Sequence, residues 1–209
     1  MNSKTTASEP LLLLIACLLA LLVSGFAPFD RPTWWLEVFP VLIGLPLLLA
    51  TWHRFPLTPL VYRLLFLHAL ILILGGHYSY ARVPLGSWVQ ELFDLQRNHY
   101  DRIGHLAQGF IPALLTRELL RRQLKLSGRW LFFLVIAVCL GISAMYELIE
   151  WWAALIGGDG AQAFLGTQGD IWDTHWDMLL ALTGAITAML ILPRLHDRQL
   201  AKLTAGSSV

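Results

Sequence analysis

The sequence predicts an all-α protein: a polytopic bundle of six membrane-spanning helices with both chain ends in the cytoplasm. Three observations predict it. Hydrophobic residues make up 56% of the 209 and charged residues only 14%, more apolar surface than one water-soluble domain can bury. The apolar residues fall in six runs of about the 17 to 25 residues that cross a bilayer. Lys and Arg then gather on one side of the topology those runs imply.

The runs are 10–25, 34–52, 60–76, 103–120, 130–153 and 176–192. The first is expected to be a retained helix rather than a signal peptide, because Lys4 and Glu9 precede it and no A-x-A-like site follows. The second, third, fifth and sixth are long and almost free of charge. The fourth is interrupted by Gln108, Pro112 and Thr116, which neighbouring helices must accommodate. Charge supports keeping it. With six helices, Lys4, Arg54, Arg63, Arg117, Arg121, Arg122, Lys125, Arg129, Arg194, Arg198 and Lys202 share one side and Arg31, Arg82, Arg97 and Arg102 the other, eleven against four. Removing the fourth helix reverses that bias, so six spans place both termini in the cytoplasm. The chain, 1–209, reads as one integral membrane domain.

The balance of 15 basic and 14 acidic residues provides no field for nucleic acid; the expected partner is the lipid bilayer. Cys17 and Cys139 lie within apolar runs and fit small buried hydrophobes. Trp34, Trp35, Trp52, Trp130, Trp151, Trp152, Trp172 and Trp176 stand near helix ends, as interfacial anchors do. His68, mid-way along the third helix, reads as a neutral hydrogen-bonded histidine before a ligand. Trp88, Leu92 and Leu95 share one helical face, which predicts a short helix lying in the interface. The basic stretch 121–129 determines topology first and can meet lipid headgroups second. No Walker, dinucleotide, H-E-x-x-H or G-x-S-x-G pattern is present.

Carboxylates and histidines concentrate in two polar stretches that each abut an apolar run, YDRIGH at 100–105 and GDIWDTHWD at 169–177. Ionisable groups are expensive at a membrane boundary and mark function by default. The six-span topology brings Asp101 and His105, Glu147 and Glu150, and Asp170, Asp173 and Asp177 to the extracytoplasmic face, with His77 nearby. Spacings of four, three and four place Asp101 with His105, Glu147 with Glu150, and Asp173 with Asp177 on single helix faces. Asp101, His105, Glu147, Glu150, Asp173 and Asp177 are thus candidates for acid/base work. Asp101, His105, Glu150, Asp170, Asp173 and Asp177 are candidate ligands for a divalent cation such as Mn²⁺, Mg²⁺ or Zn²⁺. Arg102 is a candidate anion contact. Helix capping by Asp101, Asp170 and Asp173, or a purely structural buried network, explains part of the same pattern. Arg102 also competes with a metal as the group that compensates the carboxylates.

These blocks, together with GHYSYA at 76–81, RNHYDRIGHLAQG at 97–109, ELIEW at 147–151 and QGDIWDTHWDM at 168–178, resemble the YjdF family of uncharacterised bacterial inner-membrane proteins over nearly the whole chain. The resemblance implies a multi-pass inner-membrane protein without an assigned activity, its motif residues being Asp101, Arg102, His105, Glu147, Glu150, Asp170, Asp173 and Asp177. His99 and His175 stand within the same segments. A looser similarity joins the fourth to sixth helices to VanZ-like membrane proteins and directs attention to envelope lipids, at the level of fold analogy only. Two functional classes remain open: a protein that binds or acts on a lipid or phosphate headgroup at the outer leaflet, and a transporter that uses the carboxylates as a proton or cation site. A non-catalytic structural role stands beside them.

Overall fold

The computed structural model describes residues 4–157 and 167–206. Among them every long element is helical and there is no strand: α1 (Lys4–Ser24), α2 (Arg31–Thr51), α3 (Pro59–Tyr78), α4 (Pro84–Leu92), α5 (Tyr100–Gln123), α6 (Gly128–Gly157), α7 (Asp173–Ile191) and α8 (Pro193–Gly206), with a short 3₁₀ turn at Tyr80–Arg82. Each of the six apolar runs lies in its own long helix. Of these, α2, α3, α6 and α7 are long and apolar enough to cross a membrane by length and composition, and α1 contributes a shorter apolar stretch, Ser8–Ser24. α5 is long enough but carries too many polar residues on its buried face to qualify alone.

Local chemistry sets the helix starts. The Asp30 carboxylate accepts the Thr33 N–H at 2.8 Å, capping α2, and a proline stands in the first turn of α2, α3 and α4, where its missing N–H costs nothing. The short helix expected around Trp88 is α4. The segment after 192, read from the sequence only for its basic residues, is a helix, α8. Its charge concealed a four-residue repeat, His196 and Leu200, that is buried against the bundle.

Two groups of helices share α3. On one side α1 and α2 pack on α3 around Cys17, Trp34, Val38, Val41 and Ile73. On the other, α5, α6 and α7 join α3 around Val61, Leu114, Val135, Cys139, Ala185 and Ala188. The inward face of α6 is a strict four-residue ladder of buried side chains, Leu131, Val135, Cys139, Ser143 and Glu147. Outward-facing residues such as Leu22, Phe39, Leu47, Phe133 and Leu190 are large, apolar and exposed, as a lipid-facing surface is.

The closest approach joins α5 and α7. A Cβ placed on Gly109 would lie 1.8 Å from the Ala181 carbonyl oxygen, and one on Gly184 would lie 2.2 Å from that of Leu106. Small residues at such contacts let backbones meet where no water drives association. Because α5 and α7 touch there, the polar residues at their N-termini are held side by side.

The opposite end of the bundle is closed by a second polar network. Glu118, fully buried, accepts hydrogen bonds from the Thr58 hydroxyl at 2.8 Å, the Thr58 N–H and Arg122 at 2.7 Å. His196, also fully buried, lies between Arg117 and Glu118 with both contacts at 2.9 Å. A guanidinium can only donate, so Nδ1 of His196 accepts and Nε2 carries the proton given to Glu118. Arg117 and Arg121 both reach Asp197. These contacts tie the C-terminus of α5 to the start of α3 and to α8.

Gly109→Ala and Gly184→Ala are each expected to force α5 and α7 apart at a cost of about 1 to 3 kcal/mol. Gly141→Ala, whose added methyl meets nothing within 4 Å, is expected to be neutral. Thermal unfolding of the detergent-solubilised protein compares the three.

Candidate functional site

The Asp/His/Glu residues singled out in the sequence meet at one end of the bundle. α5 brings Asp101 and His105 on its first two turns, α6 brings Glu147 and Glu150, and α7 brings Asp173 and Asp177. His105 stands at the centre. Its Nε2 is 3.5 Å from Asp101 and its Nδ1 is 3.8 Å from Glu147. One ligand atom from each of Asp101, His105 and Asp177 falls within 4.8 Å of the others, and the same holds for His105, Glu147 and Glu150. Asp101, His105, Glu147, Asp173 and Asp177 are all at least nine-tenths buried.

Three buried atoms in this cluster have no hydrogen-bond partner: His105 Nδ1, Glu147 Oε1 and Asp177 Oδ1. Buried polar atoms are nearly always satisfied. Two triads of residues that could ligate a metal share His105, and each contains residues with orphaned atoms.

Asp170 and Asp173 belong to neither triad. Asp173 pairs with Arg97, and Asp170 with Arg102 at 2.6 Å. Arg97 also lies 3.7 Å from Asp101 and 3.5 Å from Asp170, so it links three acids from two segments. The guanidinium of Arg102 is 5.2 Å from the Trp176 ring centre, and its Nε is buried without a partner. Asp170, in the loop before α7, accepts the Trp172 N–H at 2.9 Å. That bond first, and then Arg102, holds its carboxyl below the ordinary aspartate value near 3.8.

A reciprocal amide pair positions this loop. Gln168, at φ 48°, accepts the Asn98 N–H through Oε1 and donates to the Asn98 carbonyl through Nε2, both at 2.9 Å. Asn98 is fully buried, donates to Val83 O and Ser87 Oγ, and accepts the Tyr100 N–H. Gly86 makes room for it, since a Cβ there would lie 1.9 Å from Asn98 Oδ1. α4, the start of α5 and the loop before α7 are thereby fastened together over the site.

Two histidines of the motif segments lie apart from the cluster. His99 is the N-cap of α5, and burial, reinforced by Arg102 and Arg97, pushes its pKa down. His175 is exposed and packs edge-on against Trp172. His77 donates from Nδ1 to the Ser24 carbonyl, 2.8 Å away, and joins α3 to the end of α1. Asp159 lies outside the described residues.

Sequence reasoning missed two members of the site. Glu37, buried on α2, lies 3.5 Å from the Tyr146 hydroxyl and within electrostatic reach of Asp101 and His105. A lone carboxylate inside an apolar run was its signal. Arg97 had been counted only as a charge outside the spans. With Glu37 the site gathers seven carboxylates, Glu37, Asp101, Glu147, Glu150, Asp170, Asp173 and Asp177, against two guanidiniums, Arg97 and Arg102.

An all-helical bundle with a lipid-facing exterior and a charged cluster at one end defines a multi-pass membrane protein. The chain belongs to the family described as Predicted membrane protein (DUF2238), whose model matches residues 9–198. It is 54% identical over 200 residues to the inner membrane protein YjdF of Escherichia coli strain K12, an alignment covering 94% of this chain and 96% of that protein. No solved structure matches. The family and this relative support residence in the inner membrane.

Two outcomes test how the rim is built. Gln168→Leu keeps side-chain bulk but removes both amide bonds, and is expected to raise hydrogen–deuterium exchange at 97–100 and 167–172 while leaving α6 unchanged. For Asp170 the depressed value means that its ionised contacts stabilise the fold above the unfolded pKa and are lost as pH falls through the folded one. The melting-temperature gap between parent and Asp170→Asn is therefore expected to be flat from about pH 8 to about pH 5 and to close in stronger acid.

Proposed function

We propose that the cluster holds a divalent cation and presents it, beside Arg102, to an anionic group such as the phosphate headgroup of an envelope lipid at the outer leaflet. The observation that carries this reading is the uncompensated charge: seven carboxylates converge with two guanidiniums, and His105 Nδ1, Glu147 Oε1 and Asp177 Oδ1 are buried there without partners. Carboxylates brought together in a low dielectric require a cation or protons. A divalent ion in either triad would offset part of that charge and give one of the orphaned acids a partner. Oxygen ligands with one imidazole and no thiolate favour Mn²⁺, Mg²⁺ or Zn²⁺ over a soft metal. Asp101, His105 and Asp177, or His105, Glu147 and Glu150, would hold it.

Arg97 and Arg102 give the outer rim its positive side. Arg97 is committed to Asp101 and Asp173, whereas Arg102 meets its acid, Asp170, on a loop. An incoming phosphate can therefore compete for Arg102 without dismantling the helices. A bound cation would polarise a phosphoryl oxygen placed against it, and the carboxylates it leaves free are bases within reach of that group.

Passage of a proton or cation, the alternative, needs a polar path along the bundle. Below the cluster, buried Ser143 is followed by closely packed Ala113, Leu114, Val135, Ala185 and Ala188, with Thr116 in the turn after Leu114. That apolar plug supports a site worked from one face. The basic residues of the α2–α3 and α5–α6 connections and of α8 lie at the opposite end, which supports cytoplasmic termini and an outward-facing site.

Purified protein is expected to bind about one Mn²⁺ per chain in an electron paramagnetic resonance titration, and Asp177→Asn to weaken binding about tenfold or more. Mn²⁺-loaded protein should then bind a short-chain phosphatidic acid more tightly than the Arg102→Gln variant does. Lack of Mn²⁺ uptake by the parent would leave a protonated or arginine-compensated network as the surviving account. Cys17 and Cys139 are buried, so a thiol introduced as Glu91→Cys, on exposed α4, reports orientation. An impermeant reagent is expected to label it in intact spheroplasts.

A further inference from the structure

A second site lies between α1, α2 and α3, sharing no residue with the acidic cluster. It is a half-open cavity of about 140 Å³ whose wall is apolar except for a few groups, among them His68, Tyr62 and Trp52. Tyr62 spends its hydroxyl accepting the Leu57 N–H at 3.2 Å, and its ring packs against Trp52. His68 differs: its Nε2 is buried and has no hydrogen-bond partner. No Asp, Glu, Lys or Arg lines the cavity.

Two features of α2 create the space. Gly44 faces it, and a Cβ added there would meet nothing within 4 Å. Pro40 and Pro46 lie within the helix on either side of Gly44, and each removes one helical hydrogen bond. A cavity of this size holds one six-membered ring or a short length of hydrocarbon, and an apolar cavity of that size stays dry. Water is thus a poor partner for His68, and an orphaned imidazole nitrogen in hydrocarbon is costly.

We infer that this cavity binds a neutral membrane lipid, a long apolar chain ending in an uncharged hydrogen-bonding group, with that group on His68 Nε2 and the chain running out between the helices into the bilayer. The wall offers no counter-charge, which excludes a phosphate or ammonium headgroup. Two sources share the required chemistry: an isoprenoid-type quinone, through its ring carbonyl, and an acylglycerol, through its hydroxyl or ester. The acidic cluster takes no part, so the two sites stand or fall separately.

The test uses the full chain in phosphatidylcholine nanodiscs, titrated with decylbenzoquinone in one arm and dioctanoylglycerol in the other, with the melting temperature as readout. The parent is expected to show a saturable rise of about 3 °C or more with one probe, and the responding arm identifies the source. Gly44→Phe fills the cavity and should abolish the rise. His68→Phe keeps the volume, should weaken apparent affinity about five- to tenfold, and carries the test if Gly44→Phe does not fold. Gly141→Phe, placed on open surface of α6, should respond like the parent. Absence of a saturable rise with both probes, or an equal rise in the parent and His68→Phe, overturns the proposal.

Discussion

The contact between α5 and α7 is the constraint on which the rest of the acidic site depends. Their backbones meet at Gly109 and Gly184, where a single methyl would collide with a carbonyl. That contact lies within two turns of His105 and of Asp177, so the distance between those side chains is set by backbone packing rather than by side-chain flexibility. α6 then brings its acids to the same place by continuing a ladder that is apolar for most of its length and ends in Ser143 and Glu147. The site is thus the polar end of three ordinary packing faces.

Such a cluster is costly to assemble, and the structure distributes the cost unevenly. Arg97 and Arg102 neutralise the acids nearest the rim, Asp170 and Asp173 among them. The deeper acids, Asp177 and Glu147, keep oxygens without partners beside His105. An incomplete polar network is worse for stability than an apolar core of the same shape. A chain that gained nothing from this space could have filled it with leucine, as it does a few turns below.

Helices were legible because the apolar runs are long and the Pro and Asp residues at their starts are unambiguous. α8 was not, since its charged residues obscure the burial of His196 and Leu200. Asp101, His105, Glu147, Glu150, Asp173 and Asp177 could be grouped from spacing and topology, which fix the helix face and the end of the bundle. The division of labour among the acids could not: that Asp173 belongs to Arg97 while Asp177 faces His105 depends on how far α7 is rotated against α5. Glu37 was marked only by being a lone acid in an apolar run, which flags the position but not the cluster it joins. Gln168 and Asn98 escaped because their bonds join segments 70 residues apart.

α5 is anchored at both ends, at one through Tyr100, whose hydroxyl donates to the Ile71 carbonyl of α3, and at the other through Arg117 to His196 and Glu118 to Thr58. A rod pinned twice neither slides nor turns without breaking one set of anchors, so it acts as the fixed post of the molecule. The stretch 167–172 is attached to that post by one amide pair and by ion pairs at its edge, so the rim of the acidic cluster takes its position from α5.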